Sequence, residues 1–153
     1  MKKLPTDLQI LNYIYDTYYR QFIEFSKDNP TRSASIFVPI DIEMIANKFG
    51  VHEDIIFGRL YYHLEKKYGY QNKNGTGVPF FALKVGSDKY CINFPYMASV
   101  LANLQDVEEK YITATKMSQW ALFIAVTSAI ISFFSNYKYI LNTIIQWIIG
   151  STM

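Results

Sequence analysis

The chain has 153 residues, half of them apolar, and a formal net charge of only +2 at pH 7. This length excludes two large domains, and the charge is not the strong basic excess of a dedicated nucleic-acid protein. A single cysteine, Cys91, excludes an intrachain disulfide and a multi-cysteine metal site, which is compatible with a reducing cytoplasm. No apolar run follows Lys2 and Lys3, so we expect no cleavable signal peptide.

The first elements in the chain are a long helix and a short strand. Thr6 and Gln9 form a capping-box pattern, and the apolar periodicity that follows predicts a helix over residues 7–27. A loop comes next, and residues 35–39 form a short β-like run. Because this run contains Pro39, we expect it at the edge of a sheet.

The next elements are two helices and a hairpin. Asp41 is placed to cap a helix that ends at Gly50, and acidic residues begin a second helix over about 53–67. Residues 69–79 are rich in Gly and Asn and predict a loop. Two β-runs, 80–85 and 90–94, are joined by residues 86–89 and predict a hairpin.

From Tyr96 onward the pattern is again helical, and one line of small or apolar residues runs along the predicted helix. Its members recur at alternating spacings of four and three: Val100, Leu104, Val107, Tyr111, Ala114, Ser118 and Ala121. No charged residue lies between Lys116 and Lys138, and a helix over residues 117–137 spans about 31 Å, close to the hydrocarbon thickness of a bilayer. We therefore predict a membrane-spanning helix here.

The distribution of charge predicts a domain tied to a membrane by its tail. All 13 acidic residues, and every Lys and Arg except Lys138, precede residue 117. Lys110 and Lys116 lie at the entry to the uncharged stretch, which agrees with the positive-inside bias. We expect a cytoplasmic domain over 1–95, a helical stalk over 96–116, a transmembrane helix over 117–137 and a membrane-associated helix over 138–153, with the protein in the inner membrane.

The order helix, strand, helix, turn, helix and hairpin resembles a winged helix-turn-helix domain over about residues 7–95. The likeness is carried by residues that would pack the two central helices and turn the chain between them: Ala46, Gly50, Val51, Ile56 and Leu60. His52 stands where related domains usually carry Ser, Asp or Thr as a helix cap. The predicted fold is mostly α with a small β-hairpin, followed by a long helix that enters the membrane and a short amphipathic C-terminal helix.

The resemblance implies that the helix over about 53–67 enters a DNA major groove and that the hairpin is a wing that touches the backbone. The exposed side of that helix would offer Arg59, Tyr62, His63 and Lys66, and further phosphate contacts would come from Lys67, Lys73, Lys84 and Lys89. Residues 59–89 hold six basic and two acidic residues, whereas residues 41–54 hold one basic and four acidic. Nucleic-acid binding, protein or small-ligand recognition, and an ordinary solvated surface all remain open.

Small residues in the uncharged stretch predict self-association in lipid. Ala121, Ala125 and Ala129 lie four residues apart, as do Ser128 and Ser132. Such stripes let helix backbones approach closely. The alternative is that Ala and Ser here are ordinary residues of a spanning helix and line nothing.

After a polar break at residues 135–138, the C-terminal residues predict an amphipathic helix. Six Ile and Leu side chains form one face, and Asn142, Gln146 and Trp147 belong to the other. The helix could lie in the membrane interface, or line a wet pore once several copies assemble. A third alternative is a buried helical hairpin of residues 117–149 in a soluble oligomer.

The sequence shows no catalytic set, so we predict a non-enzymatic protein without a cofactor or metal. His52 and His63 lack the spacing of a metal-binding helix, and the Gly-rich residues 74–77 lack the lysine of a phosphate loop. Cys91 lies in a β-run and is interpreted as a core side chain.

Two functions follow as hypotheses. In the first, the chain is a membrane-anchored recognition protein whose winged domain binds a nucleic acid or a cytoplasmic protein. In the second, it is a small prokaryotic membrane-perturbing effector of the toxin, prophage or phage-defence type. There the winged domain senses or restrains, and the tail forms a homo-oligomer in the bilayer.

Overall fold

A computed structural model describes residues 3–71, 73–74 and 77–150 of the chain, which are mostly helical with two small antiparallel sheets. The chain divides into two units, residues 1–106 and residues 107–153. All of the strands and the shorter helices belong to the first unit, which also holds the buried core.

Helix α1 (Asp7–Ile23) begins with the predicted capping box, in which the N–H of Gln9 donates to Thr6 Oγ1 and the N–H of Thr6 donates to Gln9 Oε1. The prediction that it extends to residue 27 is wrong. The guanidinium of Arg32 donates to the carbonyls of Gln21 (2.5 Å) and Phe22 (3.0 Å), so two of the last helix carbonyls are satisfied by a side chain instead of by a further turn.

A three-stranded sheet follows the order β1–β5–β4, with β1 (Phe37–Pro39) at an edge as predicted, β4 (Phe81–Val85) and β5 (Asp88–Asn93). All neighbours are antiparallel. The predicted four-residue connection over 86–89 is wrong, because Val85 pairs with Asp88 and only two residues form the turn. Gly86, in the left-handed region at φ 59°, makes this tight turn possible.

A second sheet pairs β2 (Tyr70–Gln71) with β3 (Gly77–Val78), in a segment that the sequence predicted as loop. Each of these strands has only two residues, and both are exposed. The strands therefore lack the alternation of apolar and polar residues by which a strand is predicted from sequence.

The two helices predicted between β1 and the hairpin begin and end close to the predicted residues. Helix α2 (Ile42–Phe49) is capped by Asp41 and ends at Gly50, whose φ is 60°. Helix α3 (Glu53–Gly58) is capped by His52, whose Nδ1 accepts the N–H of Asp54 at 3.3 Å. The predicted single α-helix over 53–67 is wrong in its middle, because a π-helix (Arg59–Glu65) separates α3 from α4 (Lys66–Tyr68).

The core of the first unit is formed by buried residues of α1, α2, α3 and the π-helix, of the three-stranded sheet, and of the helix that follows the sheet. The largest fully buried side chains are Phe80, Phe81, Phe94, Ile10, Leu11, Ile14, Ile45, Ile56, Leu60, Leu64, Ile92 and Met97. Of the residues that carry the winged-helix resemblance, Ala46, Ile56 and Leu60 are buried and Val51 packs against the core.

Helix α5 (Phe94–Gly150) has 57 residues. The predicted break at 135–138, which would separate a short C-terminal helix, is wrong. Ser135, Asn136, Tyr137 and Lys138 interrupt the apolar run but contain no Gly or Pro, so they do not end the helix. Within the described residues this is the one helix long and apolar enough to cross a membrane, which indicates membrane association.

Candidate recognition surface and membrane helix

Two of the four predicted groove-facing side chains are held by another helix. Asp7, in the first turn of α1, accepts a hydrogen bond from Arg59 Nη2 through Oδ1, and its Oδ2 lies 3.2 Å from His63 Nε2. The Asp7 side chain is only 15% exposed, whereas that of Arg59 is 39% exposed. Arg59 therefore offers only part of its guanidinium to a ligand.

The other residues that were predicted to contact a ligand from the segment 53–67 are exposed to solvent. Tyr62 is 68% exposed, with its ring against Phe57 (6.1 Å) and Tyr61 (5.1 Å). Lys66 and Lys67 are exposed, and Lys67 Nζ lies 4.9 Å from the ring centroid of Tyr68. The accessible side of the helix is thus an aromatic ring followed by two ammonium groups.

Glu65 fixes this helix to the hairpin. Its Oε2 accepts the backbone N–H groups of Phe80 and Phe81, each at 2.7 Å. Both amides lie where β4 begins, so the carboxylate sets the position of the predicted wing relative to the predicted recognition helix. Nothing in the sequence pattern indicated this role, because Glu65 is 15 residues from Phe80 along the chain.

The hairpin presents two lysines directly opposite each other. Lys84 of β4 pairs with Lys89 of β5, and both are exposed. Like charges at facing positions of a sheet are destabilising, so this pair costs folding energy that an anion between the two ammonium groups would recover. Lys73, also exposed, lies in the segment between β2 and β3.

The tip of the hairpin is in contact with the loop that follows α1. The N–H of Ser33 donates to Asp88 Oδ2 at 2.6 Å, and the N–H of Ser87 donates to Ser33 Oγ at 3.1 Å. A Cβ atom at Gly86 would lie only 2.6 Å from Ser33 Cβ. The turn is therefore held by contacts with this loop, and Lys84 and Lys89 beside it are exposed.

An open cleft of about 600 Å³ lies between α1, the start of α2 and β5. Three carboxylates line it, from Asp41, Glu43 and Glu53, with one ammonium group from Lys89. Tyr90 also lines it, in the left-handed region at φ 54°, which is uncommon for a bulky residue. The excess of carboxylates disfavours a phosphate here, in agreement with the acidic character of residues 41–54.

The tyrosine hydroxyl at the back of this cleft has a structural partner. Tyr18 is 8% exposed, and its hydroxyl oxygen accepts the N–H of Asp41 at 2.7 Å. Burial raises the pKa of Tyr18 and outweighs the hydrogen bond from the N–H of Asp41, which acts in the opposite direction. The hydroxyl therefore remains neutral and fixes the beginning of α2.

In the second unit, the described residues of the uncharged part of the helix are exposed, except for the half-buried Thr127. Ala121, Ala125, Ala129, Ser128 and Ser132 are all exposed, as are Asn142, Gln146 and Trp147. The 18-residue window that identifies the candidate span is 0% buried within the chain. Lipid or another protein must therefore cover its apolar side chains.

Among the described residues, no group of three or more His, Cys, Asp or Glu is arranged to hold a metal ion.

In comparisons with known proteins, no family, no curated protein and no solved structure matches this chain. Function must therefore be inferred from the residues themselves.

Proposed function

We propose that this chain is a non-enzymatic, membrane-anchored recognition protein. Residues 117–137 span the inner membrane, and the first unit lies in the cytoplasm, where a winged-helix domain binds a nucleic acid or a protein partner. The observation that carries the anchor is the exposure of the uncharged part of α5, whose 18-residue window has a mean hydropathy of 1.6 and no burial. Water would not solvate such a surface favourably.

The topology of the first unit supports the winged-helix part of the proposal. An edge strand before α2 pairs with the second strand of a C-terminal hairpin, and α2 and α3 are joined by a turn with Gly50 in the left-handed region. The exposed cations Lys66, Lys84 and Lys89 give this domain a surface for an anionic ligand, and nucleic acid carries that charge at high density.

The proposal is tested by expressing the full chain in bacteria and washing the membranes with alkaline carbonate. We expect the full chain in the washed pellet and a variant lacking residues 117–153 in the supernatant. Protease added to the outside of intact cells should leave the first unit undigested, whereas protease added to inverted vesicles should remove it. Full-length protein in the supernatant, or digestion in intact cells, contradicts the anchor or its orientation.

A second function is favoured by the polar side chains of the tail. Asn142 and Gln146 are four residues apart on one face of a helix that is otherwise rich in Ile, and both are exposed. If several copies assemble, these amides would give the bilayer a polar path, which is the activity of a membrane-perturbing effector. Overexpression should then depolarise cells, as measured with a membrane-potential dye, and Asn142→Leu with Gln146→Leu should remove the effect. A full chain that inserts without changing the potential supports the anchor alone.

A further inference from the structure

The line of small or apolar residues that begins at Val100 has a part that the first unit covers and a part that is exposed. Val100 is buried and Leu104 packs against the core, so the domain itself covers the start of the line. From Val107 onward the members are exposed, with Val107 at 63% and Tyr111 at 72%. The exposed part lies wholly in the second unit, and nothing in the described chain covers it.

The line continues without a break through the uncharged segment. Alternating steps of four and three residues lead from Ala114 to Ser118, Ala121, Ala125, Ser128, Ser132 and Ser135. Because α5 runs unbroken from Phe94 to Gly150, these residues share one side of one helix. The mean spacing of about 3.5 residues is that of helices that wind around each other.

The same steps reach Tyr139, Asn142 and Gln146. The polar residues that the sequence assigned to a separate amphipathic helix therefore belong to the same line as the serines. Bulky side chains such as Phe123, Ile130, Phe134 and Ile144 lie on the other sides of the helix. Between Ser118 and Ser135, every residue on the line is Ala or Ser.

Thr127, off the line, differs from two serines on the line in whether its hydroxyl group is hydrogen-bonded within the helix. Thr127, off the line, donates to the carbonyls of Phe123 (3.0 Å) and Ile124 (2.9 Å) of its own helix. The side chains of Ser128 and Ser132, on the line, have no hydrogen bond to any described residue. Asn142 and Gln146 have none either. Ser128 and Ser132 lie within the proposed span 117–137, where an unpaired hydroxyl group in hydrocarbon is costly, so a neighbouring helix with matching polar groups would be stabilised there.

The occupant of this face must suit both water and lipid. Glu108, Glu109 and Lys116 keep residues 107–116 in water, yet Val107 and Tyr111 are exposed there, where lipid cannot cover them. A partner helix along this face must therefore also lie partly in water and partly in lipid, and it must enter the membrane at the same level as α5 does. A second copy of the chain meets this condition by construction, and copies inserted in one direction lie parallel.

We propose that residues 107–146 form a parallel, in-register interface with a second copy of this chain, along the line from Val107 to Gln146. This proposal rests on the proposed membrane anchor. It goes beyond the small-residue stripe, because it joins the exposed apolar residues in water, the serines in the membrane and the two C-terminal amides into one contact.

Disulfide cross-linking of the full chain in native membranes tests the interface. Single cysteines are introduced on the line, Ala114→Cys in water and Ala125→Cys in the membrane, and off the line as matched controls, Ile112→Cys and Ile130→Cys. The parent chain, whose Cys91 is buried, is the blank. After oxidation with copper phenanthroline, we expect at least fivefold more covalent dimer from each position on the line than from its control.

A second substitution in the Ala114→Cys variant distinguishes a packed helix interface from random collision of two chains in the membrane. Ala125→Ile should reduce the cross-linking of Ala114→Cys at least threefold, because a larger side chain holds the helices apart, whereas Ile130→Ala should leave it unchanged. Equal cross-linking on and off the line, no dimer from chain recovered in washed membranes, or a product with the mass of a different partner overturns the interface and leaves the anchor intact. Recovery of the chain in the soluble fraction overturns both.

Discussion

The carboxylate of Asp7 accepts a hydrogen bond from the guanidinium of Arg59, and this contact joins the first turn of α1 to the π-helix. The two residues are 52 positions apart in the chain. Arg59 is therefore part of the structure of the first unit as well as a candidate ligand contact. A loss of binding after mutation of Arg59 alone would not distinguish the two roles.

Replacing Asp7 with asparagine should destabilise the first unit. The change removes an ion pair with Arg59 that is partly shielded from water and an acid in the first turn of a helix, so we expect the free energy of unfolding to fall by about 1–2 kcal/mol. Urea titration of the full chain in mild detergent, followed by tyrosine near-UV circular dichroism, measures this.

Asp16→Asn is the matched control for that change. Asp16 lies on the same helix, is exposed, and has no hydrogen bond or ion pair in the described part of the chain. Its replacement should shift stability by less than about 0.5 kcal/mol. Equal effects of the two substitutions would show that the Asp7–Arg59 contact contributes nothing.

The features that the sequence predicted correctly depend on residues that are close together in the chain. The capping box of Thr6 and Gln9, the Asp41 cap and the turn at Gly50 all involve neighbours within a few positions. The edge position of Pro39 follows from its missing N–H. Such local chemistry can be predicted without knowledge of the tertiary structure.

Several of the features that were missed depend on partners that are distant in the chain. The side chain of Arg32 donates to carbonyls of α1 that lie 10 and 11 residues before it in the chain. The N–H of Ser33 donates to Asp88, which is 55 residues further on. At the site, the sequence could place exposed lysines on the helix and the hairpin. It could not show that Asp7 engages Arg59 and His63, because nothing in the spacing brings the start of α1 to the π-helix.

If the first unit binds nucleic acid, its exposed lysines should carry the salt dependence. Lys66→Ala with Lys84→Ala removes two exposed ammonium groups without breaking any described contact. Each phosphate that is no longer neutralised should reduce the slope of log K against log salt by about 0.9, so we expect a reduction of about 1.8 for the double variant. Fluorescence anisotropy with a labelled duplex of random sequence, over a series of salt concentrations, measures the slope.

Lys48→Ala is the control for binding through general positive charge. Lys48 is exposed on α2, near the ring of Tyr13, in the acidic half of the unit. The Lys48→Ala variant should leave the slope of log K against log salt unchanged. If Lys48→Ala weakens binding as much as the double variant does, the helix and hairpin are not the contact surface, and absence of binding at low salt removes the nucleic-acid proposal.

Arg32 should be the most costly single cation to remove. It is 4% exposed, donates hydrogen bonds to the carbonyls of Gln21, Phe22, Ala34 and Ser35, and lies against the ring of Phe25. Burial lowers its pKa, yet a guanidinium remains charged at any accessible pH. Arg32→Met should cost about 2–5 kcal/mol of unfolding free energy, because buried carbonyls lose their donors.

Arg20→Met measures what an exposed arginine on α1 contributes. Arg20 pairs with Glu24 one turn away, at 2.7 Å, with its own side chain 86% exposed. We expect a change of less than about 0.5 kcal/mol in the same urea titration. A similar loss from both substitutions would mean that Arg32 acts only as a surface charge and that its four hydrogen bonds do not set the end of α1.

The reactivity of Cys91 should report the integrity of the sheet. Burial raises the pKa of this thiol, and the nearby charge of Asp88 raises it further, so at any given pH a smaller fraction is thiolate than for a free cysteine. In the native full chain we expect Cys91 to react with a maleimide at least tenfold more slowly at pH 8 than the cysteine of Ser99→Cys, at an exposed position of α5. The rise of its rate with pH should also begin at higher pH. In urea the two rates should converge, because unfolding removes the burial that protects Cys91, and equal rates in the native chain would show that the thiol is accessible in solution.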